Sequence, residues 1–211
     1  MINKNKFEKY ILEYEKKHNF SDGYHLLYCP WDTLGKADVA FISLNPGATN
    51  NPAGLKILSD ERGNSYEVER YTTKSPLTAQ FLELCNFIKR KPETILTGVA
   101  CPFRGNRWND FSLEQKNVGF DIGRSFWSKA LDSKVKLIIT LGNETTELIT
   151  HLKNAKLELE LNSGWGNYKI RRFKNNEGVE VIQLLHLSTF KLFSRRDCRG
   201  PLEKIFENFI N

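Results

Sequence analysis

Apolar and polar residues follow two patterns along the chain, one typical of buried strands and one typical of helices. Four short segments are apolar almost throughout, as strands buried on both faces are: residues 38–44 (DVAFISL), 94–100 (TILTGVA), 135–141 (VKLIITL) and 179–185 (VEVIQLL). Spacing and capping signals predict helices over residues 3–18, from Ser75-Pro76 onward, from Ser112 to about Leu131, from Gly142-Asn143 to about Leu152, and from Pro201 onward. Residues 157–161 and 168–173 flank the turn-like sequence NSGWGN and predict a hairpin.

Apolar strands that alternate with helices predict a parallel sheet covered on both faces. We therefore expect an α/β fold, a three-layer α/β/α arrangement with a short, mainly parallel central sheet, in a single domain spanning residues 1–211. In such sheets, ligands bind at the carboxyl ends of the strands. Three junctions are therefore candidate parts of a site: residues 44–47, 99–107 and 185–188.

The familiar signatures of nucleotide and hydrolase sites are missing from the sequence. There is no G-x-G-x-x-G after the first strand, no G-x-x-x-x-G-K-[ST] and no G-x-S-x-G. No group of His, Cys and Glu residues has the spacing of a zinc site, so we expect no metal. A dinucleotide-dependent enzyme, a P-loop enzyme and a serine hydrolase are therefore disfavoured.

The positive charge of the chain adds information about the kind of molecule that the protein binds. The formal net charge is +6, and residues 191–199 (KLFSRRDCR) carry four cations against one anion. A basic run with an aromatic residue inside it favours a nucleic acid as the partner. No apolar stretch approaches the ~20 residues of a membrane span, and the charged, amphipathic N-terminus is unlike a signal peptide. We expect a cytoplasmic monomer that binds no membrane.

Polar motifs follow the first and the last predicted parallel strand, SLNPG at 43–47 and HLSTFKLFSRR at 186–196. Their order resembles the uracil-DNA glycosylase superfamily, whose first motif is commonly G-x-N-P-G. Its second motif is H-P-S or a variant, followed by a loop that enters the DNA minor groove; here Leu187 replaces the proline. Between them, CPFRGNR at 101–107 is similar to the C-x-P-P-G-N-R stretch of members that carry an iron–sulfur cluster. The resemblance spans about residues 38–195 and implies a short parallel sheet between helices.

The resemblance also implies a reaction, hydrolysis of the N-glycosidic bond that joins a base to DNA. Asn45 would hold the attacking water by its side-chain amide, and positioning would supply most of the rate because an amide is a poor base. Pro46 would fix the turn, and Gly47 would let the backbone approach the substrate. His186 would donate a hydrogen bond to the departing base. The alternatives are that Asn45 is only a turn residue and His186 a structural histidine.

A base inside a duplex must be flipped out before it can be cleaved from its sugar. The resemblance implies DNA contacts from the segment after His186 and from the middle loop: Ser188, Lys191, Leu192, Phe193, Ser194, Arg195, Arg196, Arg104 and Arg107. Lys191, Leu192 and Phe193 would fill the vacated stack, and the serines and arginines would hold phosphates. The alternative is that Leu192 and Phe193 are core residues that cap the sheet.

The base pocket departs from the family pattern at the second strand. Members that read uracil have an asparagine there, whereas this chain has Gly98 and no asparagine between residues 96 and 100. We therefore expect a wider pocket and a modified base, such as the glucosylated hydroxymethylcytosine of some phage genomes, which would make the protein an antiviral defence factor. Asn106 is an alternative reader of the base. Tyr66 is the first choice for the ring that stacks on it, ahead of Tyr71 and Trp108.

The four cysteines bear on the iron–sulfur cluster of the related proteins. Cys85 and Cys101 have a spacing that suits the later pair of cluster ligands, and Cys29 could be a remnant of the first pair. A fourth ligand is missing unless Cys198 serves. We expect four free thiols and no cofactor.

Three functions remain open. The first is a DNA glycosylase that acts on a modified base or, alternatively, an ordinary uracil-DNA glycosylase of base-excision repair. The second is a non-catalytic DNA-binding protein of the same fold, which predicts a filled or shallow pocket. The third is an N-glycosidase for free nucleosides, which predicts an enclosed pocket without a basic rim; the basic segment at 191–199 argues against it.

Overall fold

An eight-stranded mixed sheet forms the middle of the fold in the computed structural model, which describes residues 2–48, 55–72 and 74–210. The strands are β1 (Gly23–Leu27), β2 (Val39–Ser43), β3 (Leu55–Ser59), β4 (Ile95–Val99), β5 (Leu137–Leu141), β6 (Lys156–Asn162), β7 (Lys169–Lys174) and β8 (Glu180–Leu184). The helices are α1 (Lys4–Lys17), α2 (Ser65–Glu69), α3 (Pro76–Phe87), α4 (Leu113–Ala130), α5 (Asn143–Lys153) and α6 (Arg196–Ile205). Across the sheet the strand order is β3-β1-β4-β2-β5-β8-β7-β6.

The centre of this sheet is the parallel one that the sequence predicts, but the sheet is larger than expected. Strands β4, β2, β5 and β8 are parallel neighbours. At one edge β1 pairs antiparallel with β4 and parallel with β3, and at the other the predicted hairpin adds β7 and β6 in antiparallel order. The expectation of a short, mainly parallel sheet was therefore wrong in size, because the hairpin joins the sheet and two further strands extend it.

Helices cover both faces of the sheet, which is consistent with the predicted three layers. Ile42, Ile138 and Val181 face a core that includes Ile122 and Phe126 of α4. Phe41, Ile139 and Ile182, the neighbours of those strand residues, face a second core that includes Leu84 of α3 and Leu202 of α6. Alternate side chains are buried on opposite faces, and this is why these strands are apolar throughout. No helix among the described residues is long and apolar enough to cross a membrane.

The predicted starts of α3 and α4 are confirmed, and each begins with a capping side chain. The Ser75 hydroxyl accepts from the backbone N–H of Thr78, and Ser112 and Gln115 form a capping box. The last helix is an exception, because it begins at Arg196 and contains Pro201. Pro201 cannot donate to the carbonyl of Asp197, and Gly164 packs so closely on that carbonyl that a Cβ would lie 2.1 Å from it.

Gly98 does not widen a base pocket, and that expectation was wrong. A Cβ at Gly98 would lie 2.6 Å from the carbonyl oxygen of Leu26 and 3.0 Å from Cζ2 of Trp127. The missing side chain therefore lets β1 and α4 pack against β4.

The variant Gly98→Ala should lower the free energy of unfolding by about 1–3 kcal/mol, the usual cost of overpacking a well-packed core. Urea unfolding of the pure protein measures it. Gly47→Ala is the matched control, because a Cβ there would meet no described atom within 4 Å. Equal stability of the two variants would contradict the packing role of Gly98.

Candidate functional site

A cavity of about 730 Å³ lies where strands β2 and β8 end and where the chain continues beyond β4. Residues from all three predicted junctions line it: Asn45, Gly47, Arg104, Asn106, His186 and Ser188. The first two segments are also bonded together, because the carbonyl of Pro46 accepts from the backbone N–H of Gly105 at 3.1 Å. The motifs that are distant in sequence therefore form one site.

The side chain of Asn45 is held in one orientation by its neighbour. Its Nδ2 donates to the carbonyl oxygen of Pro46 at 3.0 Å. A carbonyl only accepts, so the amide oxygen Oδ1 is the atom that remains to accept a hydrogen bond from a water. Pro46 does not line the cavity itself, but its carbonyl fixes both Asn45 and Gly105.

His186 follows β8 and lines the cavity, with Ser188 as its hydrogen-bond partner. The Oγ of Ser188 lies 2.7 Å from Nδ1 of His186. A hydroxyl that donates to Nδ1 leaves the ring proton on Nε2, which can then donate to a ligand. Desolvation lowers the pKa of His186 below its ordinary value of 6.5, so the imidazole is neutral at pH 7. Ser188 therefore supports His186, where the sequence predicted a contact with phosphate.

Arg104 was expected to contact DNA, but the structure occupies its guanidinium with three acceptors of the protein. Nε donates to the carbonyl of Leu55 at 3.1 Å, Nη1 to that of Gly47 at 3.1 Å and Nη2 to Nδ1 of His25 at 3.2 Å. Nε2 of His25 donates to the carbonyl of Leu27 at 3.0 Å. Burial and the charge of Arg104 lower the pKa of His25 to about 3. The charged Arg104 and the neutral His25 therefore form one hydrogen-bonded wall of the cavity.

Asn106 and Arg107 belong to the same loop and are exposed. Asn106 lines the cavity, whereas Arg107 is not among its lining residues. Asn106 is therefore at the rim, where it can reach a ligand that enters, whereas Arg107 lies outside the cavity.

Tyr66 lines the cavity, but it does not offer a free face for stacking. Its ring packs against Phe81 at a centroid distance of 4.6 Å, Tyr28 at 5.5 Å and Phe41 at 6.1 Å. Only 6% of Tyr66 is exposed. The sequence could not distinguish a tyrosine that stacks on a base from one that packs in the core. Tyr66 is a core residue. Tyr71, by contrast, is 83% exposed.

The segment after His186 also differs from the prediction. Leu192 is completely buried in the core on the α3 and α6 side, so it cannot enter a base stack. Phe193 is half-buried and packs on Phe87 and Phe206. The alternative, that these two residues are core residues, is therefore correct for Leu192. Phe193 also packs against this core, although it is only half-buried.

A buried glutamine fixes the turn that contains these residues. Oε1 of Gln80 accepts from the backbone N–H of Phe193 at 2.9 Å, and Nε2 donates to Oγ of Ser194 at 2.6 Å. Ser194 is thus bonded to α3, whereas the sequence analysis predicted that it would bind a DNA phosphate. The role of Gln80 could not be predicted from the sequence, because its partner Ser194 is 114 residues away along the chain.

The basic side chains of the segment remain exposed: Lys191, Arg195 and Arg196. The guanidinium of Arg195 stacks on the ring of Trp165 at 3.2 Å from its centroid. Lys191 lines a depression of about 440 Å³ together with Arg70 and Lys74, which the sequence analysis missed. This depression shares Ser75 and Thr78 with the larger cavity. A basic surface therefore borders the cavity.

Sequence reasoning missed two further polar groups of the cavity. Glu69 contributes a carboxyl group whose pKa is raised above its ordinary value by burial and by the charge of Asp60. Thr78 is 3% exposed, and its Oγ1 has no hydrogen-bond partner among the described residues. A buried hydroxyl without a partner is costly, and a polar ligand or water in the cavity would satisfy it.

The four cysteines are buried in two separate groups. Cys29 and Cys101 belong to the core on the α1 and α4 side of the sheet, and Cys85 and Cys198 belong to the core on the other side. Burial raises the pKa of Cys85 and of Cys101 to about 12. The spacing that suggested Cys85 and Cys101 as one ligand pair is therefore misleading, because the sheet separates them.

Comparison with known proteins does not identify a family for this chain. No family model matches the chain, and no curated protein matches it. The resemblance to the uracil-DNA glycosylase superfamily therefore depends on the three motifs and on their convergence at one cavity.

Proposed function

We propose that the protein is a DNA glycosylase of the uracil-DNA glycosylase type, which hydrolyses the N-glycosidic bond of a base flipped out of DNA. One observation carries the proposal: Asn45 and His186, at the ends of two parallel strands, line the same cavity. The four parallel central strands and the three motifs at their carboxyl ends support it.

In this reaction the bond between C1′ and the base nitrogen breaks, and its electron pair goes to the base. A water then bonds to C1′ and gives up a proton, which neutralises the anion of the departed base. Oδ1 of Asn45 accepts a hydrogen bond from that water and places it on the sugar. Nε2–H of His186 donates to the base as negative charge develops on it. A neutral imidazole is sufficient for this hydrogen bond, so both groups act by position.

The cavity weighs against the two other functions. A non-catalytic protein of this fold predicts a filled or shallow pocket, whereas the volume is about 730 Å³. An N-glycosidase for free nucleosides predicts no basic rim, whereas Arg70, Lys74 and Lys191 lie beside the cavity. DNA in the cytoplasm is therefore the partner that we propose, with the protein acting as a monomer.

A modified base remains the proposed substrate, with uracil as the alternative. The packing of Gly98 removes one reason for a bulky base, but strand β4 still brings no asparagine to the cavity. Glucosylated hydroxymethylcytosine of phage DNA is the concrete candidate, and its removal would make the protein an antiviral defence factor.

The deciding experiment incubates the pure protein with oligonucleotides that each contain one candidate base, followed by alkaline cleavage of abasic sites. Strand cleavage that depends on the protein and on one kind of base supports a glycosylase. Binding of every oligonucleotide without any abasic site would favour the non-catalytic alternative instead.

Reversal of the charges of Arg195 and Arg196 to Glu should weaken DNA binding, since both are exposed cations of the segment that follows His186. Two lost phosphate contacts should lower the salt slope of log K by about two. The measurement is a titration at several salt concentrations. Lys16→Glu with Lys129→Glu is the control of equal charge, because these residues lie on α1 and α4, across the sheet. The same slope in both double variants would place the arginines away from DNA.

A further inference from the structure

Glu69 stands at the end of a short helix that is fixed to the sheet. The helix begins after Asn64, which is 1% exposed and donates from Nδ2 to the carbonyl of Pro92 at 2.9 Å and to Oγ1 of Thr97 at 3.2 Å. The backbone N–H of Ser65 also donates to the carbonyl of Tyr28. This anchoring fixes the helix whose last residue, Glu69, lines the cavity.

The carboxyl group of Glu69 is the only one that lines the cavity among the described residues, and it has no hydrogen-bond partner there. The neighbouring acid, Asp60, is instead paired with Arg62 at 2.8 Å. The other groups that face the cavity or act on Glu69 are cationic, neutral or phenolic: Arg62, Arg104, His25, His186, Tyr28 and Tyr66. A carboxyl group that no described residue binds is available to bind a ligand in this cavity.

The edges of pyrimidines differ in what they can offer to a carboxyl group. Cytosine presents an amino donor at N4, with an acceptor at N3 beside it, whereas uracil presents a carbonyl acceptor at O4. A carboxylate accepts from the amino group but opposes the carbonyl, because two acceptors face each other.

We propose that Glu69 is the specificity-determining residue of the cavity and selects a cytosine-class base, with its 4-amino edge, over a uracil-class base. This inference rests on the proposed glycosylase function and names its substrate class. An amide cannot discriminate in the same way, because its oxygen and nitrogen can exchange places and serve either edge. The variant Glu69→Gln should therefore release uracil-class bases relatively faster.

The test uses duplexes that differ only at this edge, with 5-hydroxymethylcytosine in one and 5-hydroxymethyluracil in the other. Single-turnover base release is measured for the wild-type protein and for Glu69→Gln. We expect the wild-type protein to prefer 5-hydroxymethylcytosine, and the variant to lower the ratio of the two rates by about tenfold or more. A third duplex with glucosylated hydroxymethylcytosine, compared with 5-hydroxymethylcytosine, shows how much the sugar adds.

Glu67→Gln is the matched control, because Glu67 lies on the same helix but pairs with Arg70 at 2.8 Å and does not line the cavity. It should leave the ratio unchanged. If Glu69→Gln misfolds, as its melting curve would reveal, Glu69→Ala takes its place and should also lower the ratio.

Each remaining outcome has one meaning. A wild-type protein that releases 5-hydroxymethyluracil as fast as 5-hydroxymethylcytosine overturns the role of Glu69 and leaves the glycosylase proposal intact. The same holds for an unchanged ratio in the variants. A fourth duplex contains uracil. If none of the four duplexes releases its base, both the glycosylase proposal and this inference are overturned.

Discussion

Replacing Asn45 with alanine should reduce base release by about 10³-fold or more, because the reaction loses the group that positions its water. Asn45 is the amide whose Nδ2 is bonded to the carbonyl of Pro46, which leaves Oδ1 oriented to accept from the water. DNA affinity and the melting temperature should change little, because Asn45 is only half-buried and bonds to its own neighbour. Single-turnover kinetics with enzyme in excess measure the effect without interference from product release.

Asn106→Ala is the matched control for this experiment. It removes another amide that lines the same cavity, from an exposed position at the rim. We expect its rate to stay within about tenfold of the wild type, the range of one lost hydrogen bond. Equal rates for Asn45→Ala and the wild type would remove Asn45 from the chemistry.

Replacing His186 with alanine should slow base release by about 10²-fold, as expected for the loss of one donor to a developing anion. The donor is the neutral ring, because desolvation lowers the pKa of His186. The measurement is again a single-turnover rate, together with DNA affinity, which should remain close to that of the wild type.

Ser188→Ala separates a catalytic His186 from a structural one. It removes the hydroxyl 2.7 Å from Nδ1 but leaves the imidazole in place, so we expect a loss of about fivefold, the worth of one neutral hydrogen bond. A structural His186 would instead give variants whose melting temperatures fall while their rates remain near that of the wild type.

The central strands could be predicted because burial on both faces makes them apolar throughout, and the capped helices because their first turns carry a hydroxyl and a proline or glutamine. Strands β1 and β3 could not be predicted in the same way. β3 is an edge strand whose first residues are exposed, so LKILS has no clean apolar pattern. The start of α6 was misplaced because proline usually opens a helix, whereas here the backbone of Gly164 packs on the carbonyl that Pro201 leaves without a donor.

The site was predictable only where it coincides with strand ends. Asn45 and His186 follow parallel strands, and strand ends on one edge of a sheet must converge. Glu69 and Gln80 lie on helices far from either motif, and only the folded chain brings them to their partners. Leu192 was misjudged because an apolar residue within a basic run has the same sequence appearance whether it points to DNA or to the core.

Arg104 has one more consequence, which concerns tolerance to insertion. Its guanidinium holds the carbonyls of Gly47 and Leu55, the two points between which residues 48–54 run. Because both ends are tied to one side chain, the distance that any connecting sequence must span is set independently of that sequence. The entropy cost of closing such a connection grows only slowly with its length. Engineered variants with a longer or recomposed connection should therefore keep the strand that ends at Ser43 and the strand that begins at Leu55 in place.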